Sequence, residues 1–282
     1  MTFTDQHPTT RRLTAPTSEI LKISNGSLGF DDTLLWRNLD LTVKAGEFLA
    51  ILGANGSGKT SLLKTILGQQ RLDSGTISLA GKPVSRGDRR IGYIPQQKLA
   101  TAGVPLRGRD LVSFGVNGHR FGLPITRRHE RELVDAAIRA VGADGFANHA
   151  IGSLSGGEQQ RLRVAQALVS DPTLLLCDEP LISLDLNNQR EVAELIDRER
   201  REHNTAVVFV THDINPILGL VDRILYLAGG RFSIGTPEEV LRSEVLTSLY
   251  GTPVEVLRSG DRVFVAGAPD AGGHDHHAEE QR

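Results

Sequence analysis

Eight consecutive residues, Gly53-Ala54-Asn55-Gly56-Ser57-Gly58-Lys59-Thr60, satisfy the pattern G-x-x-x-x-G-K-[ST]. They lie where such a loop works, between a strand-like run, EFLAILG, and a stretch of helical apolar spacing, SLLKTILGQQ. The glycines let backbone N–H groups turn inward around phosphates. Lys59 brings a compact positive charge to the β- and γ-phosphates, and the Thr60 hydroxyl can ligate Mg²⁺. Ser61, next in the chain, is counted with the phosphate contacts. A second run, Thr173-Leu174-Leu175-Leu176-Cys177, leads into Asp178-Glu179-Pro180. It sets two carboxylates at the carboxyl end of a buried strand, where ligands collect in open α/β sheets. In-line phosphoryl transfer needs a metal clamp and a positioned nucleophile, so Asp178 is assigned to Mg²⁺ through water and Glu179 to polarising the attacking water.

The segment Leu154-Ser155-Gly156-Gly157-Glu158-Gln159-Gln160-Arg161 opens a third helix with a capping box, Ser155 to Glu158. Its bare glycine backbone and serine hydroxyl at a helix N-terminus make a second anion site, or serve only to stop the helix fraying. The residues by themselves leave both readings open.

The elements that must position these groups follow from periodicity. The runs ILKISNGSLGF, TLLWRNLDLTV and EFLAILG, broken by turn residues, predict a β-rich opening. Residues 173–177 and 206–210 resemble buried parallel strands around a polar helix near 189–201, which implies a parallel sheet core. Ahead of these strands, residues 98–152 are broken by glycines and hold one amphipathic stretch, 127–141, with Leu133, Val134, Ala137, Ile138 and Val141 on one face. Beyond, RILYLAGGRFSIG predicts a hairpin turning at Gly229-Gly230, followed by one short helix over 237–249 and a strand pair near 254–265.

Composition bounds the rest. The 282 residues are 39% hydrophobic, with 32 basic against 34 acidic side chains and a formal net charge of −2. That gives no general reason to expect nucleic acid as a partner. A single cysteine, Cys177, excludes an internal disulfide framework and fits a reducing compartment. No apolar run reaches the ~18 residues of a membrane span. Residues 1–18 and 267–282 are expected to be a disordered leader and tail. Each motif occurs once, so the chain supplies half of any two-site machine.

The ordered set of phosphate loop, LSGGEQQR, apolar strand ending in Asp-Glu-Pro, Ser183-Leu184-Asp185, and Thr211-His212-Asp213 after another apolar strand resembles the ABC transporter ATPase family over residues 20–234. The resemblance implies an α/β P-loop fold: a mixed, mainly parallel sheet, an antiparallel β subdomain, and a helical subdomain inserted at about 97–165. The ATPase domain would span 19–250, with a strand extension at 251–266. It implies that Phe30 stacks on adenine and that Gln96, in IGYIPQQ, is the lid glutamine that touches Mg²⁺ and reports to the membrane partner. Asp185 resembles the dimer-contact aspartate and His212 the histidine that senses the γ-phosphate. Ser155, Gly156 and Gly157 become the half-site that closes over ATP held by the opposite copy, with the helical region passing this motion to membrane permease subunits.

Finer markers, PLRGRDLVSFGVNGHRFG and the ending LYGTPVEVLR, resemble importers of zinc or manganese, which implies an extracytoplasmic metal-binding protein upstream. Leu181-Ile182-Ser183-Leu184 departs from that branch, whose members carry an aromatic and Thr-Gly-Val there. His274, Asp275, His276 and His277 offer either a loose Zn²⁺ site or a solvated polar tail. A soluble repair or ribosomal ATPase of the same family would carry long coiled coils or tandem cassettes, and neither is present.

Overall fold

A computed structural model describes residues 19–30, 33–96, 106–117 and 128–267. In chain order the strands and helices are β1 (Glu19–Phe30), β2 (Thr33–Lys44), β3 (Phe48–Gly53), α1 (Lys59–Ile66), β4 (Ser74–Leu79), β5 (Lys82–Pro83) and β6 (Ile91–Ile94). Then follow α2 (Gly108–Asn117), α3 (Arg128–Ala140), α4 (Gly156–Leu168), β7 (Leu174–Asp178), α5 (Leu186–His203), β8 (Ala206–Val210) and β9 (Arg223–Ala228). The last are β10 (Arg231–Gly235), α6 (Pro237–Val240), α7 (Ser243–Tyr250), β11 (Glu255–Ser259) and β12 (Arg262–Ala266).

Six strands form the central sheet in the order β10-β9-β3-β8-β7-β6, parallel except for the β9–β10 hairpin. An antiparallel sheet, β2-β1-β4-β5, covers one face. The period of two along the buried strands divides the interior. On β3, Phe48, Ala50 and Leu52 enter one core while Leu49 and Ile51 enter the other, and β8 splits in the same way between Val207 with Phe209 and Ala206 with Val208 and Val210. The second core takes α1 and the antiparallel sheet; the first takes the remaining helices. This is the mixed-sheet core, β subdomain and inserted helices expected from the sequence.

Two expectations need correction. The single helix over 237–249 is two, α6 and α7, because the chain turns extended at Arg242 (φ −129°, ψ 143°) after the one-turn α6, capped by Thr236. The glycine-broken text after residue 98 also hides a second helix, α2. Its glycines are contact points with α4: a Cβ on Gly108 would lie 2.5 Å from Leu162 Cδ1, and one on Gly115 2.2 Å from the Gln166 carbonyl oxygen. Close helix packing outweighs the low helix propensity of glycine there.

Candidate functional site

The loop after β3 turns into α1 through glycines that no other residue could replace. Gly53 has φ 145° and its missing Cβ would sit 2.1 Å from the Leu227 carbonyl oxygen; Gly58 has φ 96° and lies against Leu35 and Trp36. Lys59 is buried, and its Nζ donates to the carbonyls of Gly53 (2.6 Å) and Ala54 (3.0 Å). Burial pulls its pKa below the ordinary lysine value, partly offset by the negative charges of Glu179 and Asp178. Ser57 Oγ is buried without a hydrogen-bond partner among the described residues. A buried orphan hydroxyl and a desolvated ammonium on one loop match what an anionic phosphate chain supplies.

This loop forms the floor of a cleft of about 1020 Å³, lined among others by Gly53, Asn55, Gly56, Gly58, Lys59, Thr60 and Ser61, and across from them by Gln96, Glu179 and His212. Sheet order brings these groups together. The strands β3, β8, β7 and β6 are neighbours, so the residues at their carboxyl ends meet on one rim. Glu179 is pulled across that rim: its N–H donates to Val210 O (2.9 Å) and its φ is 45°, a left-handed conformation that costs a glutamate about 1–2 kcal/mol. Its Oε2 then accepts from Gln96 Nε2 at 3.2 Å and lies 3.6 Å from His212 Nδ1. Just behind, Asp178 is half-buried. Desolvation raises its pKa above the ordinary carboxylate value, opposed by a hydrogen bond from Tyr93 Oη at 3.3 Å. Burial and the neighbouring Asp178 charge push the Tyr93 phenol up to about 12, so it stays a donor.

The remaining predicted residues are elsewhere. Ser155 caps α4, giving its hydroxyl proton to Glu158 Oε2 (2.8 Å) and accepting from the Glu158 N–H (3.3 Å); the donor from the Ser155 backbone holds the Glu158 pKa low. Asp185 caps α5 by accepting from the Asn188 N–H at 2.9 Å. Gly156 and Gly157 rest against Leu184 and Asn188. None of Ser155, Gly156, Gly157 and Asp185 lines the phosphate-loop cleft. The Phe30 side chain, the leader at 1–18 and the histidines at 274–277 lie outside the described residues.

Sequence reasoning missed three contributors. Tyr93 reaches Asp178 only through the β6–β7 register. Asn215 is clamped to the terminal hairpin, donating from Nδ2 to Val263 O (3.0 Å) and accepting from the Val263 N–H (2.8 Å). Through that clamp at Asn215, three residues along the chain from His212, Val263, Phe264 and Val265 form part of the cleft wall. No spacing rule links these positions.

The profile of the ABC transporter family matches residues 36–182. The chain belongs to the ABC transporter family. It is 38% identical over 242 residues to the hemin import ATP-binding protein HmuV of Rhodopseudomonas palustris, covering 82% of this chain and 87% of that one. It is 32% identical over 276 residues to the zinc import ATP-binding protein ZnuC of Marinobacter nauticus, covering 93% of this chain and all of that one. Among solved structures, cbiO1 of Clostridium perfringens, part of the ABC transporter complex cbiONQ, superposes with a TM-score of 0.69 at 26% identity over 82% of this chain and 93% of its own. As a family member, the chain is an ATP-binding cassette ATPase. Among the described residues no helix is long and apolar enough to cross a membrane.

Proposed function

We propose that two copies of this chain close head to tail around MgATP at the cytoplasmic face of a membrane. Their hydrolysis cycle drives zinc or manganese import through permease subunits fed by an extracytoplasmic metal-binding protein. The observation that carries the hydrolytic part is Glu179 Oε2 held between Gln96 and His212 on the rim above Lys59. In this reading Lys59 leaves the Gly53 and Ala54 carbonyls for the β- and γ-phosphates. Glu179 orients water for in-line attack while His212 contacts the γ-phosphate. Thr60, Asp178 and Gln96 would hold Mg²⁺, which neutralises phosphate charge when bound. The half-buried Asp178 carboxylate, whose pKa desolvation raises, would gain a compensating positive charge there. Phe30, at the end of β1, stacks on adenine. Ser155, Gly156, Gly157 and Asp185, which do not line their own cleft, serve the partner's nucleotide, so that one chain holds only half of each site.

The metal assignment rests on the sequence markers of that branch and on similarity to the zinc protein above and, at 28% identity over 246 residues, to the manganese transport protein MntB of Halalkalibacterium halodurans. The 38% identity to a hemin protein favours an iron-porphyrin cargo as the second reading. The test is Glu179→Gln. The purified variant is expected to bind ATP, to hydrolyse it at least 100-fold more slowly, and to run as a dimer with ATP on size exclusion. Cells carrying it under metal limitation are expected to lose zinc or manganese selectively. Loss of hemin-derived iron alone would select the second reading, and near-normal turnover would overturn the role of Glu179.

A further inference from the structure

Helices α4 and α5 begin with the same device. Each is capped by a side-chain oxygen, from Ser155 and from Asp185, and each carries a glutamine four residues beyond its cap, Gln159 and Gln189. Gln159 Nε2 donates to the carbonyls of Ile151 (3.1 Å) and Leu154 (3.0 Å), and Gln189 Nε2 to those of Leu181 (3.4 Å) and Leu184 (3.1 Å). The offsets are identical, eight and five residues back. A carboxamide nitrogen has two hydrogens, and each glutamine spends both on the loop that leads into its own cap. Both side chains are half-buried, and neither lines the phosphate-loop cleft.

We infer that Gln159 and Gln189 are positioning residues: each straps a loop so that Ser155 and Asp185 are already in place when the facing copy arrives. The inference rests on the head-to-tail reading above. Without the strap the cap still forms, because Ser155 and Asp185 bond the first turn of their helices independently. What is lost is the orientation of residues 151–155 and 181–185, whose ordering then has to be supplied on closing. The predicted signature is therefore weaker closing with unchanged nucleotide binding inside one chain. Methionine matches glutamine in length and removes both donors, so each replacement is expected to weaken closing about tenfold, the cost of ordering about one residue of loop backbone on closing.

The experiment uses the full chain carrying Glu179→Gln, with ATP-dependent dimerisation followed by sedimentation and nucleotide binding by the fluorescence of Trp36, the single tryptophan, buried beside Gly58. Adding Gln159→Met or Gln189→Met is expected to raise the dimer dissociation constant about tenfold, to leave the Trp36 midpoint where it was, and to lower the melting temperature of the free chain by only about 2–4 °C. Gln159→Glu sets a carboxylate against two carbonyls, and its defect relative to the parent is expected to shrink toward pH 5, where protonation returns one donor. Dimerisation equal to the parent's would overturn the inference, as would a parallel loss of nucleotide binding or a fall in melting temperature of more than about 10 °C. A Glu179→Gln parent that stays monomeric with ATP would instead remove the head-to-tail reading, and the straps with it.

Discussion

Alanine at Gly157 tests why this position has no side chain. A Cβ built there lies 2.0 Å from Asn188 Oδ1 and 2.6 Å from Asn188 Cγ, far inside contact distance. It points at α5 of its own chain, so the backbone N–H at the start of α4 is unchanged. The atoms that must yield are the tip of Asn188, whose Nδ2 donates to Asp185 Oδ2 at 2.6 Å. The second bond, from the Asn188 backbone N–H to Asp185 Oδ1, survives. Losing one exposed, charge-assisted hydrogen bond costs about 1 kcal/mol. Replacing glycine by alanine inside a helix returns about 0.5–1 kcal/mol. Net stability therefore moves by under about 1 kcal/mol, while Asp185 loses one of its two anchors. If the lost kilocalorie falls on dimer closure, steady-state ATPase at limiting protein drops about fivefold with the nucleotide midpoint unchanged.

A double-mutant cycle decides the cause. Asn188→Ala removes the tip that clashes and leaves only its Cβ, 3.3 Å from the new methyl. Gly157→Ala/Asn188→Ala is then expected to hydrolyse ATP no more slowly than Asn188→Ala alone, a coupling of about 1 kcal/mol. The same loss from Gly157→Ala in both backgrounds would refute the clash and assign the glycine to close approach by the facing copy. Gly156→Ala is the steric control. Its Cβ would meet Leu184 Cδ2 at 3.4 Å, an ordinary contact, so stability is expected to rise by about 0.5–1 kcal/mol.

Asp178→Asn should raise the melting temperature of the nucleotide-free protein at neutral pH. The folded pKa lies above the ordinary 3.8, so the charged carboxylate penalises the fold at high pH, and the gain should vanish as pH falls below 3.8 in a thermal-melt series. Lys59→Met removes a desolvated charge along with its two bonds to loop carbonyls, so melting should change by less than about 1 kcal/mol. Its ATP midpoint by Trp36 fluorescence should rise more than about tenfold. Asn215→Ala unclamps the terminal hairpin from the segment that follows His212. Turnover should fall several-fold with nucleotide binding intact, and limited proteolysis should cut near residue 260.

Sequence reached furthest where backbone periodicity and buried strands coincide. The runs of β3, β7 and β8 are apolar on both faces, so their strand character, the parallel arrangement of β7 and β8 and the carboxylates at the end of β7 were all legible. The phosphate loop was legible because its glycines are contiguous. The helix α2 was not, since Gly108 and Gly115 read as breakers until the partner helix is seen. Glu179 was read from its place at the end of a buried strand and Gln96 and His212 from family likeness, but their junction was not foreseen. Its physical cause, a left-handed Glu179 tied to the next strand, leaves no trace in residue types. The Asn215 clamp joins positions 48 residues apart and was equally invisible.

Most of the proposed working groups have hydrogen-bond partners within the chain itself. Lys59 is occupied by carbonyls, Glu179 by Gln96, the Ser155 hydroxyl by Glu158, and Asp185 by Asn188. Each must be released before it can serve ATP, so the net gain per contact is small and sequential rather than simultaneous engagement is favoured. Lys59 has the strongest incentive to move. Its charge is desolvated against neutral carbonyls, whereas the Ser155 hydroxyl already donates to a carboxylate in a solvent-exposed cap. Phosphate should therefore recruit Lys59 within one chain first. On the proposed head-to-tail reading, Ser155 would exchange Glu158 for the γ-phosphate only when the whole face of a second copy adds its burial to the exchange, which would make ATP a condition for closure.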